Sequence, residues 1–226
     1  MKNPLRKRFF RELREEIGKY LVVFILMAAT IGFVSGFLVA DGSMLTAYNN
    51  SFQKYNIEDG KFETEEKIYK NQQEDIEKKG VTLYENFYVE KALLNGTTLR
   101  IFKNRTEVDK VCLMKGRLPE KAGEIAIDRM YADNNKLSVG DSLQSGKRKW
   151  KITGLVALSD YSALFQNNND TMFDAVKFGA AVVTEEEFSS FNQSQLVYNY
   201  AWTYTHKPKT EAQEKKKSED FMEELS

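Results

Sequence analysis

Twenty-one consecutive residues, Tyr20 to Ala40 (YLVVFILMAATIGFVSGFLVA), carry no charge. At about 1.5 Å rise per residue, a helix of that length reaches about 30 Å, the thickness of a bilayer's hydrocarbon core. A core helix of a soluble protein keeps one polar face, and this segment has none. The rest of the chain must therefore fold as something attached to a membrane-spanning helix. A cleaved secretory signal is the rival reading, but its apolar core runs only ~7–15 residues and ends in a small-x-small site. Here the apolar run is longer, and Leu38 stands two residues before Ala40. An uncleaved anchor is the expectation.

Charge sets the orientation. The 226-residue chain has a formal net charge of zero, yet residues 1–19 hold seven basic and three acidic side chains. After Ala40 no Lys or Arg occurs until Lys54. The positive-inside rule places the N-terminus in the cytoplasm and residues 41 onward outside a cell membrane. Nucleic-acid binding is the competing use of a basic end, but no basic patch with interleaved aromatics follows, so no nucleic-acid partner is expected. Leu5, Phe9, Leu13 and Ile17 repeat every four residues with Phe10 beside them. Residues 1–19 thus form an amphipathic helix suited to the cytoplasmic interface. Within the span, Ala28, Gly32, Gly36 and Ala40 also recur every four residues. Such a small-residue face lets helix backbones approach closely in lipid, and packing against other transmembrane helices is expected.

Residues 41–206 read as one extracytoplasmic α+β domain of short mixed elements. Helix continues from Asp41 to about Phe62, and a polar surface helix spans Thr64–Lys79 with Gly80 as its stop. VTLYENFYV (Val81–Val89) reads as one alternating strand, and Asn95-Gly96 between apolar runs marks a hairpin over Ala92–Phe102. Val108–Met114, Glu124–Ile127, Ser142–Gln144, Trp150–Leu158 and Ala175–Thr184 are further strands. Asp128 caps a short helix, and Thr184 with Glu187 forms a capping box. Leu196, Tyr198, Tyr200, Trp202 and Tyr204 alternate cleanly, as a strand does. Residues 207–226 form a charged helix, opened by Thr210 and Gln213, that is either a solvated tail or the start of a further subdomain.

Chemistry is sparse. There is one histidine, His206, and one cysteine, Cys112. A nucleophilic triad, a zinc site and an internal disulfide all need more. Cys112, between Val111 and Leu113, is expected to be a small buried apolar residue. No GxxxxGK[ST] loop occurs, so no ATPase is carried and no cofactor is expected. Carboxylates such as Glu124, Asp128 and Asp141 are plentiful, but no catalytic checklist is met and the chain is not expected to be an enzyme.

The most specific stretch is GRLPEKAGEIAIDRMYADNNKLSVGD, Gly116 to Asp141. Its turns fix a scaffold: Gly116, Arg117 and Pro119 lead to a strand at Gly123-Glu124, Asp128 starts a helix containing Ala132, and Gly140-Asp141 turns into the strand holding Trp150 to Ile152 and Gly154-Leu155-Val156. In order and spacing, over roughly 45 residues, this resembles the extracytoplasmic domain of FtsX-like/MacB-like ABC transporter permeases. The single N-terminal span and the basic amphipathic helix before it match as well.

The resemblance implies a non-catalytic permease subunit with a MacB-like domain. It would pair with a cytoplasmic ABC ATPase, with further permease spans or a second permease copy, and with an extracytoplasmic peptide, lipid or protein. Mechanotransmission is implied as the mode of action. Unlike the family, this sequence stops at Ser226 without later spans, so it is expected to be the N-terminal part of a permease from a split or truncated reading frame. The low cysteine content fits a bacterial surface protein. Two alternatives remain open: a single-pass anchored module that binds a peptide or cell-wall enzyme, and an anchored hydrolase with no favoured carboxylate.

Overall fold

A computed structural model describes residues 14–161, 164–166 and 174–225. The expected interfacial helix over residues 1–19 lies largely outside these. The chain divides into two units, Met1–Asn50 and Ser51–Ser226.

Helix α1 (Ile17–Tyr55) is 39 residues long and buries none of its side chains. Phe24, Leu26, Phe33, Phe37 and Val39 are all exposed. Two of its hydroxyls bond back to the helix itself: Thr30 Oγ1 donates to Leu26 O and Thr46 Oγ1 to Gly42 O, each at 2.8 Å. Hydroxyls bonded back to their own helix need no water, which suits a hydrocarbon environment. The helix ends at Tyr55, short of the expected Phe62. Asn56 takes a left-handed conformation there (φ 48°), which Asn tolerates better than most residues.

The second unit is built on a mixed ten-stranded sheet. Its strands are β1 (Gly60–Thr64), β2 (Val81–Glu85), β3 (Tyr88–Ala92), β4 (Thr98–Lys103), β5 (Cys112–Gly116), β6 (Glu124–Asp128), β7 (Ser142–Ser145), β8 (Arg148–Ala157), β9 (Phe178–Val183) and β10 (Leu196–Tyr204). The order is β1-β10-β3-β4-β9-β6-β8-β5, with β2 also on β10 and β7 also on β8. The pairs β4–β9 and β6–β8 are parallel, and the remaining pairs are antiparallel. Among the described residues, the sheet is accompanied by the α-helices α2 (Lys70–Glu77), α3 (Arg129–Asn134), α4 (Glu185–Ser189) and α5 (Glu211–Glu223). The α+β class is as the sequence implied.

Several boundaries differ from the sequence reading, each for a local reason. Phe62 lies in β1, where it stacks on Tyr200 at 5.7 Å. The polar helix begins only at Lys70, because Thr64 still belongs to β1 and Ile68 N is bonded to the Tyr200 hydroxyl. VTLYENFYV is two strands broken at Asn86-Phe87. Asn86 N donates to Asn199 O, and Phe87 turns edge-on to Tyr198 and Tyr200. The strand expected from Val108 starts at Cys112, because Asp109 is left-handed (φ 47°).

Strands β6 and β9 are buried at every position, as central strands covered on both faces must be. Strand β10 alternates in sequence, yet it is buried on both faces from Asn199 to Tyr204. Helix α5 supplies one cover. Phe221, 5% exposed, sits 4.9 Å from the Trp202 ring. The C-terminal helix packs on the domain: Phe221 joins its core and Leu225 lies partly buried against it.

Candidate functional site

The sequence singled out two sets of residues, and the structure keeps them apart in role. Ala28, Gly32, Gly36 and Ala40 lie on α1, all exposed, and a Cβ built on Gly32 or Gly36 would meet nothing within 4 Å. The face is open in the chain by itself.

The second set builds the β5–β8 edge of the sheet. Gly116 and Gly154 are register partners there. A Cβ on Gly116 would lie 2.3 Å from Thr153 O, and one on Gly154 would lie 2.4 Å from Arg117 O. Both strands approach backbone to backbone, and Gly116 also adopts φ 78°, which side chains rarely take. Arg117 N donates to Thr153 O at 3.0 Å, and its guanidinium reaches Glu124 at the start of β6.

There the guanidinium forks onto Glu124, with Nη1 2.8 Å from Oε2 and Nη2 2.6 Å from Oε1. Glu120 N also donates to Glu124 Oε2 at 3.0 Å. Arg117 first, then the Glu120 amide, hold the Glu124 carboxyl down to about 2. Pro119 is buried in the intervening turn. Asp128 accepts from the Met130 and Tyr131 amides and so caps α3 as expected. Its pKa is nonetheless raised, because burial outweighs those bonds. Asp141 Oδ2 accepts from Ser138 N at 2.8 Å, beside Gly140 at φ 104°. All three carboxylates considered as possible acids are engaged in scaffold bonds.

Gly123, at φ 79°, donates its amide to Glu187 Oε2 at 3.0 Å. The expected capping box at Thr184 is thus half formed. Thr184 Oγ1 accepts from Glu187 N, but the Glu187 side chain leaves the cap. Its Oε1 takes Trp150 Nε1 at 2.8 Å and Arg148 Nη1 at 3.0 Å. The buried Trp150 and the half-buried Arg148, both on β8, outcompete the local partner.

Cys112 is half-buried rather than buried, and Tyr55 donates its hydroxyl to Cys112 Sγ at 2.9 Å. That contact belongs to a region the sequence did not signal, where the last turn of α1, itself part of the second unit, meets the loop before β5. Lys110 N donates to Tyr55 O, Asp109 N donates to Asn56 O, and Asn56 Nδ2 donates to Glu107 O at 2.8 Å. Glu58 N donates to Asp109 Oδ1 at 2.9 Å.

Under these backbone bonds lies a buried charged cluster. Asp109 is 0% exposed, and Asp160 and Arg105 are nearly so. Arg105 Nη2 donates to Asp160 Oδ1 at 2.9 Å, and its Nη1 is 3.8 Å from Asp109 Oδ2. The guanidinium also sits 4.6 Å from the Phe102 ring. Asn86 Nδ2 donates to Asp109 Oδ2 at 3.3 Å. Burial, then the neighbouring Asp109, pushes the Glu58 carboxyl up to about 9, and burial followed by Asp160 raises Asp109. A polar cleft of about 220 Å³ adjoins the cluster, lined among others by Lys61, Tyr88, Arg100, Asp160 and Tyr161. Arg100 there is already bonded to Glu90, the Tyr161 hydroxyl and Gln166 O. His206 is exposed, and no group of metal-ligating side chains exists among the described residues.

Among solved structures, the domain is similar to the periplasmic region of MacB from Actinobacillus actinomycetemcomitans, at 12% identity over 70% of this chain and 74% of that one, with a TM-score of 0.40. It is similar in the same degree to the extracellular domain of the noncanonic ABC-type transporter YknZ from Gram-positive bacteria, at 12% identity over 70% of this chain and 88% of that one, TM-score 0.40. A putative lipoprotein from Bacillus anthracis follows at 14% identity, 66% and 84% coverage, and TM-score 0.35. No family model and no curated protein matches the chain.

Proposed function

We propose that the chain is all or part of the membrane subunit of an ABC transporter of the FtsX/MacB type. The observation that carries this reading is α1, a 39-residue helix that is apolar over a full span, buries nothing and leads into a folded α+β domain. Such a helix needs lipid on part of its surface, and its small-residue face suits other helices on the rest. The scaffold role of Gly116, Arg117, Pro119, Gly123, Glu124, Asp128, Gly140, Asp141 and Gly154 agrees with a domain that is moved rather than one that catalyses. In this reading the N-terminus is cytoplasmic and the domain is extracytoplasmic. The chain itself carries no reaction, and a separate cytoplasmic ATPase drives the motion by mechanotransmission.

The test is co-purification from the native cell in mild detergent, with a tag after Ser226. Recovery of a multi-span protein together with an ABC ATPase supports the reading. Recovery of an extracytoplasmic protein alone replaces it with the anchored interaction module. Gly32→Leu and Gly36→Leu should reduce recovery of the partner spans at least several-fold while leaving the domain folded.

A further inference from the structure

The Glu58 carboxyl is buried to nine-tenths, and its Oε2 has no N–H or O–H donor. The Glu58 amide donates to Asp109 Oδ1 at 2.9 Å, which sets a second, wholly buried carboxyl beside it. Two facing carboxylates repel, whereas a carboxylic acid beside a carboxylate forms a strong hydrogen bond. The positive charges at hand are already committed. Arg105 gives its short bond to Asp160 and stands 3.8 Å from Asp109, and Lys61 Nζ on β1 is 3.6 Å from Glu58 Oε1 and more than a third exposed. The Nε of Arg105, in the same buried cluster, is unpartnered, so the guanidinium is not seated to neutralise a further anion. Tyr161, which faces Arg105, is pushed up to about 12 by burial and stays neutral.

We propose that Glu58 and Asp109 share one proton and that this proton is a latch holding the end of α1 onto the domain. The latch joins the two segments whose backbones already cross-bond: Tyr55, Asn56 and Glu58 on one side, Glu107, Asp109 and Lys110 on the other. The bond is Glu58 O–H donating to an Asp109 carboxylate oxygen, and its loss releases one proton to water. It leaves two adjacent buried carboxylates, with Asp160 as a third, against Arg105 and a half-solvated Lys61. Release would therefore part Glu58 from the 105–110 loop and weaken the cross-bonds around it. Nothing in the inference depends on what α1 assembles with in the membrane.

Hydrogen exchange on the full chain in mild non-ionic detergent tests this, with protection factors corrected for the intrinsic pH dependence of exchange. Peptides covering residues 55–61 and 107–111 should lose at least tenfold in protection between pH 7 and pH 10, about a midpoint near 9, while peptides from β6 and β9 hold. Glu58→Gln, which donates without titrating, should keep protection across that range. Glu58→Ala should lack it at every pH. Asp109→Asn serves as a second variant, and it should likewise abolish the alkaline step. Protection that is flat to pH 10 in the unaltered chain, or an alkaline step that persists in both Glu58→Gln and Asp109→Asn, overturns the latch.

Discussion

Two acidic sites of the second unit, one on the sheet and one in the loops beside it, are built by opposite logic. At the β5–β8 edge, Glu124 meets a guanidinium in a two-pronged fork and an amide besides, and its partner Arg117 is 45% exposed. Just past the end of α1, Asp109 and Asp160 share the buried Arg105, and Glu58 beside them has only Lys61 at the rim. The first site has donors matched to its acceptors and remains charged. The second has more acid than base and satisfies itself by keeping a proton. One carboxyl is driven to about 2 and the other to about 9 by their surroundings alone. A carboxylate in a folded domain thus reports which partners the fold has placed nearby, more than its own chemistry.

The largest expected effect comes from taking the cation out of the second site. Arg105→Ala leaves buried acids unpaired, and breaking a buried pair in this way costs about 3–5 kcal/mol. Chemical denaturation of the domain, followed by the fluorescence of Trp150 and Trp202, should show it. Arg117→Ala should cost clearly less, because Glu124 then turns to water. Equal losses in the two variants would erase the contrast drawn here.

Next in size is the glycine pair. Gly154→Ala should destabilise by roughly 1–3 kcal/mol, the usual range for forcing extra volume into a filled site. Its Cβ would lie 2.4 Å from Arg117 O, which is backbone and cannot swing away. The same denaturation experiment, run beside Gly146→Ala in the open β7–β8 turn, separates crowding from left-handed strain. Gly146 has φ 56° but nothing near its Cβ position.

The pH dependence divides the two sites by sign. Glu58 is raised from an ordinary 4.5 to about 9, so its contribution is fully present below pH 4.5 and is lost as pH rises through about 9. Glu124 is lowered from 4.5 to about 2, so its contribution is present above pH 4.5 and is lost as pH falls through about 2. Denaturation midpoints from pH 3 to pH 10 should therefore fall at both ends. Glu58→Gln should flatten only the alkaline limb and Glu124→Gln only the acid limb. The smallest effect expected is that of Glu124→Gln at neutral pH, where an amide oxygen still accepts from Arg117.

Much of the first site could be read from the chain, because its parts lie close together in sequence. Gly116, Arg117 and Glu124 fall within nine residues, and the turn glycines announce themselves by residue type. What the sequence could not supply was the use of each side chain. Glu187 looked like half of a capping box until Trp150 and Arg148, brought up on β8, claimed its carboxylate. The second site left almost no trace. Its members come from four separated stretches, around residues 58, 86, 105–109 and 160, and none of those stretches carries a motif. The one local hint was residue type at Asn56 and Asp109, since Asn and Asp tolerate the left-handed turns found there.

The sequence by itself determined the features that depend on neighbours along the chain. They are an uncharged run long enough for a membrane, turns at glycines, a cap at Asp128, and the strand from Leu196 to Tyr204. Tertiary structure decided what depends on burial by distant residues. It made Phe221 a core residue on Trp202, kept Cys112 within reach of Tyr55, and pushed the carboxyl of Glu58 up and that of Glu124 down. The reason is physical. Backbone geometry answers to the residues on either side, whereas the charge state of a buried group answers to whatever the fold packs around it.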